Sequence, residues 1–262
     1  MKVWILTFDR AVALNRLITN FGNQGFKVNI FSNHPRVQLL PDNKQFIDSI
    51  VINTLNSPES NSWCARSWNT IFMKGFETTD ELICIQDDTN IAPTFRDWIY
   101  EQSSRFNFIW GPAGDQFFYI KKHVFQQVGW WDERYIGCYC GDAEYVKRVY
   151  KDYEHRAWIS VEDSHNWGFV HNPCGVPQNI ITTYESKTID PTYDNQHWQL
   201  EKTHNCNDNN NPTIKASQRH FHNKWGIDLD NGKPIINSLE RKMPELDWYP
   251  TFSKKWNIIT HS

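Results

Sequence analysis

The first part of the chain alternates between short apolar runs and longer segments whose apolar residues recur at helical spacing. Residues 3–7 and 26–31 are apolar runs that end in polar clusters, and each predicts a strand. The segment between them is apolar at every third or fourth position: Leu14, Leu17, Ile18 and Phe21. This spacing predicts a helix, which Gly22 and Gly25 bring to an end. The pattern therefore predicts a strand-helix-strand opening.

The same alternation continues as far as residue 161. Strands are predicted at residues 50–52, 81–85, 117–120 and 157–161, and helices at residues 65–76, 95–103, 122–128 and 142–151. This order predicts an α/β fold in which ligands bind at the carboxyl ends of the strands. From about residue 184 the pattern weakens, and the asparagine-rich residues 205–211 cannot bury apolar area. We expect one domain over residues 1–184 and an irregular extension over residues 185–262, whose asparagine-rich loop packs on the site or covers it.

The composition excludes several classes of protein. Aromatic residues make up 15% of the 262 residues, and their flat apolar faces suit sugars and bases as well as a core. A net charge of -3 argues against a nucleic-acid partner, and no apolar run approaches the ~18 residues of a membrane span. The six cysteines form no C-x-x-C pair, no secretory signal opens the sequence, and no Asn-x-Ser/Thr site with x other than Pro occurs. We therefore expect a cytoplasmic protein.

Two adjacent carboxylates follow the predicted strand at residues 81–85. Asp87 and Asp88 stand where this apolar run meets solvent. Mg²⁺ and Mn²⁺ prefer oxygen ligands, and a carboxylate at a strand end can share such a cation with a diphosphate. The alternative is a solvated turn in which one aspartate caps a helix. Arg66, at the start of the preceding predicted helix, would add a guanidinium to an anion site, with an ordinary surface ion pair as the alternative.

Further candidates for chemistry come later in the chain. Asp142 and Glu144 stand at a predicted helix start, where acids also suit the helix dipole. His165 is a candidate ligand or a structural histidine. Trp130 and Trp131 form a candidate stacking platform for a sugar, with core packing expected for at least one of them. The sequence has no G-x-G-x-x-G, Walker-type, H-E-x-x-H or G-x-S-x-G motif, so the corresponding enzyme classes lose their usual support.

Taken in order, these motifs resemble those of the GT-A glycosyltransferases, particularly the broad family-2-like group that uses nucleotide sugars. Thr-Phe-Asp-Arg at 7–10 resembles the opening T-Y-N-R, Ala-Arg-Ser at 65–67 resembles A-R-N, and Gln-Asp-Asp at 86–88 occupies the D-x-D position. Residues 125–133 resemble v-f-x-x-v-G-x-F-D-E, residues 141–148 align with E-D-x-D-x-x-x-R, and residues 221–226 resemble F-x-x-K-W-G. The resemblance covers about residues 1–170 and the late fragment. The chain is also similar to glycosyltransferases encoded by large algal DNA viruses, which would place it in the host cytoplasm.

The resemblance implies a GT-A (Rossmann-like) single domain with a central mixed, mostly parallel sheet flanked by helices. Residues 1–90 would form the nucleotide-sugar-binding half and residues 91–184 the acceptor and catalytic half. Asp142 would be the catalytic base, and Asp88 and His165 would bind Mn²⁺ or Mg²⁺. The residues implied for nucleotide and donor binding are Thr7, Phe8, Asp9, Arg10, Ser32, Asn33, Arg66, Asp87 and Asp88. Those implied for acceptor binding are Asp115, Trp130, Trp131, Asp132 and Glu144.

The activity implied in this way is the metal-assisted transfer of a sugar from a nucleoside diphosphate sugar, with UDP the commonest base in the family. The acceptor would be a hydroxyl of a glycan or glycoprotein, and the transfer would invert the anomeric configuration. Gln86 and Gly141 replace acidic residues of the family pattern, so alternatives stay open. One is a retaining glycosyltransferase or sugar nucleotidyltransferase on the same scaffold, and another is a non-catalytic carbohydrate-binding module.

Overall fold

The computed structural model describes residues 1–8, 10–53, 63–111, 116–133, 141–153, 157–158, 180–183, 227–228, 233–234 and 258–261. The helices are α1 (Ala11–Asn23), α2 (Trp63–Gly75), α3 (Phe95–Arg105), α4 (Lys122–Val128) and α5 (Gly141–Tyr153), with a 3₁₀ helix at Pro41–Phe46. The strands are β1 (Lys2–Thr7), β2 (Val28–Ser32), β3 (Ile47–Asn53), β4 (Glu81–Gln86), β5 (Thr89–Ile91), β6 (Phe108–Trp110), β7 (Phe117–Lys121), β8 (Ala157–Trp158), β9 (Ile181–Thr183), β10 (Ile227–Asp228), β11 (Lys233–Pro234) and β12 (Ile258–His261).

The main sheet is mixed, in the order β12-β3-β2-β1-β4-β7-β6-β8. Strands β3, β2, β1 and β4 pair in parallel, as do β6 and β8. Strand β12 pairs antiparallel with β3, and β7 pairs antiparallel with both β4 and β6. The strand-helix-strand opening is confirmed, because α1 connects the parallel strands β1 and β2. The predicted α/β architecture, a mixed, mostly parallel sheet flanked by helices, is confirmed as well.

Alternating side chains of each central strand enter cores on opposite faces of the sheet. Trp4 and Leu6 lie in one apolar cluster with residues of α2, α4 and α5, while Val3 and Ile5 lie in a second cluster with residues of α1 and α3. With both faces covered, the strands need apolar residues at successive positions, which explains the continuous runs in the sequence. Many of the described aromatic residues lie in these cores, where rings such as Trp68 and Phe118 meet edge to face.

The carboxyl ends of β1, β2 and β4 meet at one edge of the sheet. The amide of Asp87, just after β4, donates to the Leu6 carbonyl at 3.1 Å, and the amide of Asn33, just after β2, donates to the Thr7 carbonyl at 3.0 Å. The chain leaves β1 toward β2 on one side, while β4 pairs with β1 on the other, so this is a point where the strand order reverses. Crevices at such reversals are where open α/β sheets bind ligands.

Some boundaries differ from the sequence expectations for identifiable reasons. Helix α1 includes Gly22 and ends at Asn23, and the turn is made by Gly25, whose φ of 77° is in the left-handed region. A Cβ at Gly22 would collide with the ring of Phe46, so the glycine lets the 3₁₀ helix pack against α1. The extension contributes an edge strand, because β12 pairs antiparallel with β3. The asparagine-rich residues 205–211 lie outside the described part of the chain.

Among the described residues, none of the helices combines the length and the apolar character needed to cross a membrane.

Candidate functional site

A buried ionic cluster occupies the strand ends at the reversal. Thr7, the last residue of β1, donates its hydroxyl to Asp87 Oδ2 at 2.5 Å. Arg10, immediately before α1, places Nη1 3.2 Å from Asp87 Oδ1 and 3.1 Å from Asp88 Oδ2. The side chains are 10% exposed for Arg10, 3% for Asp87 and 12% for Asp88. Four of the residues expected at the donor site, Thr7, Arg10, Asp87 and Asp88, are therefore brought together.

Two oxygen atoms beside this cluster remain without a hydrogen-bond partner. Gln116, just before β7, donates from Nε2 to Asp88 Oδ2 at 3.1 Å. Asp88 Oδ1 and Gln116 Oε1 are both buried, and neither accepts a hydrogen bond within the described part of the chain. A buried carboxylate or amide oxygen without a partner is costly, and a divalent cation that prefers oxygen ligands would satisfy both atoms. The donor set thus fits Mg²⁺ or Mn²⁺.

The rest of the implied metal site is not assembled by the described residues. Within the described ranges, no group of three or more His, Cys, Asp and Glu side chains is placed to hold a metal ion. His165, the second expected ligand, lies outside the described residues, as do Asp9 and Asp115. The described part of the site therefore supplies Asp88 and Gln116 as candidate ligands, with further positions open to a diphosphate or to water.

A chain of buried polar side chains lines the neighbouring strand ends. Asn53, at the end of β3, donates to Asn33 Oδ1 at 3.2 Å, and Asn33 Nδ2 donates to the hydroxyl of Ser67 in α2 at 2.8 Å. The Ser32 hydroxyl accepts from the His34 amide at 3.1 Å, and Phe8 meets the His34 ring edge to face at 5.3 Å. These hydrogen bonds hold Ser32 and Asn33 in place without a ligand. A nucleotide that contacts them as expected would therefore meet a preformed wall of protein side chains.

Arg66 is placed differently from the sequence expectation. Its Nε lies 3.7 Å from Glu133 Oε2, and its side chain is 25% exposed. Asn69, one turn further along α2, donates to Glu133 Oε1 at 2.8 Å and to the Trp131 carbonyl at 3.0 Å, and accepts from the Trp131 amide at 2.8 Å. These bonds tie α2 to the segment after α4. In this structure Arg66 therefore faces a carboxylate on the acceptor side of the expected site.

The structure corrects two of the expected acceptor contacts. Glu144 is fully buried, and both of its carboxylate oxygens accept hydrogen bonds from Arg148, at 2.7 Å from Nε and 2.8 Å from Nη2. Trp131 is also fully buried and stacks on Tyr145 at 4.6 Å, in the core of the α2 face. Neither side chain can touch an acceptor while it stays buried, since each is enclosed by protein on all sides. Glu144 is an internal ion-pair partner and Trp131 is a core residue.

The remaining acceptor-side candidates differ in exposure. Asp132 is fully buried, so its expected acceptor contact is corrected for the same reason as those of Glu144 and Trp131. Trp130 is partly exposed and packs edge to face on Phe125 at 4.7 Å. Asp142, in the first turn of α5, is also partly exposed. Of the two acids at the start of this helix, Asp142 is therefore the one that an acceptor can reach.

Sequence reasoning missed Gln116, Asn53 and Asn69. Each is an amide side chain in or beside an apolar element, a position where an uncharged polar residue needs a buried partner. Gln116 directly precedes an apolar strand, Asn53 ends one, and Asn69 lies between Trp68 and Ile71 in α2. Amides in apolar surroundings were the available signal for all three residues, although it does not name their partners.

Comparisons with known proteins yield structural similarity and no sequence match. No family model matches the chain, and no curated protein matches it. The structure is similar to S. aureus TarS, at 10% identity and a TM-score of 0.45, over 61% of this chain and 35% of that chain. It is also similar to the mannosyltransferase PcManGT from Pyrobaculum calidifontis, solved with GDP-Man and Mn²⁺, at 10% identity and a TM-score of 0.48, over 88% and 72% of the two chains.

A third similar structure is the catalytic domain of Drosophila beta1,4galactosyltransferase 7, solved with xylobiose. The identity is 13% and the TM-score 0.43, over 77% of this chain and 80% of that chain. Two of the three similar structures are thus of enzymes named for glycosyl transfer. The chain spans about a third of the TarS chain that it matches.

Proposed function

We propose that this protein is a glycosyltransferase that moves a sugar from a nucleoside diphosphate sugar, with UDP the favoured base, to a hydroxyl of a glycan or glycoprotein. The observation that carries the proposal is the pair of aspartates at the strand-order reversal, where Asp88 Oδ1 and Gln116 Oε1 are buried and accept no hydrogen bond from the described residues. This is where an α/β sheet binds a ligand, and the chemistry of the site is that of a cation shared with a diphosphate. We propose a cytoplasmic location.

In this proposal the donor lies against the wall at the carboxyl ends of β1 and β2. Thr7, Phe8, Ser32 and Asn33 contact the base and ribose, and the hydrogen bonds within that wall keep it in place before the donor arrives. Arg10 supplies positive charge near the phosphates. Asp88 and Gln116 would hold Mn²⁺ or Mg²⁺, with His165 as a further proposed ligand. The ion would neutralise charge on the departing nucleoside diphosphate.

The acceptor lies on the α5 side. We place Asp142 as the general base that takes the proton of the acceptor hydroxyl as its oxygen attacks the anomeric carbon. Attack opposite the leaving nucleoside diphosphate gives inversion in a single displacement. Trp130, partly exposed after α4, offers a ring face to the acceptor sugar. Asp115 completes the proposed acceptor side.

Donor binding is tested by thermal unfolding with UDP, GDP and dTDP, each with Mn²⁺ and with a chelator. A ligand at about 100 times its Kd adds ~2.7 kcal/mol to the free energy of unfolding. For a chain of this size we expect the melting temperature to rise by about 5 °C or more with one nucleotide and Mn²⁺. The chelator should remove most of that rise.

In the matched control for this experiment, one aspartate at a time is replaced by asparagine. Asp88→Asn should lose the Mn²⁺-dependent part of the rise, whereas Asp48→Asn, at an exposed position of β3, should keep it. If no nucleotide changes the melting temperature of the wild-type protein, the donor-site proposal is wrong. Transfer itself is shown by NMR of the product, in which a glycoside of inverted anomeric configuration is expected.

A further inference from the structure

One nitrogen atom of Arg10 contacts both aspartates at the strand-order reversal. Nη1 is 3.2 Å from Asp87 Oδ1 and 3.1 Å from Asp88 Oδ2, and all three side chains are largely buried. Two neighbouring carboxylates repel each other strongly where water is scarce, and a cation between them offsets that repulsion. In this structure that cation is the guanidinium of Arg10.

We infer that Arg10 is a built-in competitor of the divalent ion, and that it sets the affinity of the site at Asp88 and Gln116 for metal. The inference rests on the proposed function only in taking these two residues as a metal site. It concerns a residue that the sequence resemblance implies only as a donor contact. With Arg10 in place the three groups carry one net negative charge, and without it they carry two. The protein without nucleotide should therefore bind a divalent ion weakly.

The geometry explains why Arg10 and a metal ion oppose each other. Asp88 Oδ2 already lies 3.1 Å from Arg10 Nη1 and accepts a hydrogen bond from Gln116, so a metal ion must use Oδ1 or displace one of these groups. A metal ion on Oδ1 would stand one carboxylate away from the guanidinium, and like charges at that separation repel strongly when they are partly buried. Either way, metal binding to Asp88 works against the Arg10 ion pair.

The side chain of Arg10 can be replaced without removing a hydrogen bond from the start of α1. Its carbonyl accepts the first hydrogen bond of α1, from the Leu14 amide at 2.9 Å, and its side chain does not cap the helix. Replacing the side chain therefore leaves the helix start intact. Arg10→Gln keeps a polar side chain and removes the charge, whereas Arg10→Lys keeps the charge.

The test measures Mn²⁺ affinity in the absence of nucleotide, by isothermal titration calorimetry and by electron paramagnetic resonance of unbound Mn²⁺, on the full chain. We expect Arg10→Gln to lower the Kd for Mn²⁺ about tenfold or more, a change equivalent to about 1.4 kcal/mol. Arg10→Lys should stay close to wild type. Arg105→Gln, which removes the same charge from a 61% exposed side chain, should also stay close to wild type. Adding Asp88→Asn to Arg10→Gln should abolish the gain, because the added affinity belongs to Asp88.

An unchanged or weaker Mn²⁺ affinity in Arg10→Gln would overturn the inference, since Arg10 would then orient Asp88 for the metal rather than compete with it. Equal gains in Arg10→Lys and Arg10→Gln would also overturn it, because charge would not be the cause. If Arg10→Gln is too unstable to measure, Asp87→Asn and the double variant Arg10→Gln/Asp87→Asn provide the same comparison. The double variant should again bind Mn²⁺ about tenfold more tightly than Asp87→Asn, and equal affinity would contradict the inference.

Failure of this inference can be told apart from failure of the proposed function. A tenfold gain in Arg10→Gln, in a protein whose unfolding no nucleotide affects, supports the competition and contradicts the donor site. A nucleotide-dependent rise in melting temperature, together with equal Mn²⁺ affinity in wild type and Arg10→Gln, supports the donor site and overturns the competition.

Discussion

Replacing Arg148 with methionine should lower the free energy of unfolding by about 3–5 kcal/mol, the largest stability effect that we expect from a single substitution in the described part of the chain. Arg148 and Glu144 are both fully buried, and two of the guanidinium nitrogens bond the two carboxylate oxygens at 2.7 Å and 2.8 Å. Without Arg148 the buried Glu144 carboxylate would lose this cation and both hydrogen bonds, which is far costlier than losing an exposed pair.

Arg148 also holds the segment that leads from α4 toward the expected acceptor side. Nη1 donates to the Val128 carbonyl at 2.7 Å, and Nη2 donates to the Trp130 carbonyl at 2.7 Å. Burial alone would lower the pKa of Arg148, but the neighbouring Glu144 raises it, and the net shift is upward. The guanidinium is therefore charged at every pH at which the protein folds. Its loss would free two backbone carbonyls as well as the Glu144 carboxylate.

Urea denaturation of Arg148→Met against wild type measures this effect. The matched control is Arg105→Met, because Arg105 also pairs with a glutamate four residues away on a helix, at 3.8 Å from Glu101, but both side chains are more than 60% exposed. We expect the control to cost less than about 1 kcal/mol. A loss of under 1 kcal/mol in Arg148→Met would show that this buried pair is not a structural requirement.

The sequence predicts the helices and most central strands of this fold well and the three-residue strands poorly. The helix expected at residues 122–128 is observed at Lys122–Val128, and the central strands follow from apolar runs bounded by polar residues. The strands β5, β6 and β9 have three residues each, which is too short to show a period of two. They form because a neighbouring strand supplies their hydrogen bonds, and the sequence does not show which strand that is.

The candidate site likewise contains residues whose position the sequence predicts and residues whose position it does not. The position of Asp87 and Asp88 could be predicted, because it depends only on where one apolar strand ends. Gln116 could not, since it reaches Asp88 through the antiparallel pairing of β7 with β4, in which Phe117 lies opposite Ile85. The spacing of Glu144 and Arg148 suits a helical ion pair, but only packing shows that the pair is inside. Burial therefore decided which of two neighbouring acids stayed a candidate for catalysis.

Asp142→Asn should reduce the rate of sugar transfer by about 10²–10⁴-fold while leaving nucleotide affinity unchanged. Asparagine has the shape of aspartate but cannot take a proton from a hydroxyl, so only the base function is lost. Of the two acids in the first turn of α5, Glu144 is committed to Arg148, which leaves the partly exposed Asp142 as the group that an acceptor can approach. The buried ion pair fixes the helix on which Asp142 is carried.

This prediction is checked by initial rates with the donor found in the nucleotide screen, together with thermal unfolding in the same nucleotide. Asp97→Asn is the matched control, because Asp97 is an exposed acid in the first turn of α3 and its loss should leave the rate as it is. A rate within about threefold of wild type in Asp142→Asn is far less than the loss of a general base produces, and it would move the base to Asp115. A rate loss that is matched by loss of nucleotide binding would instead mean that Asp142 holds the site together, because a general base acts only after the donor has bound.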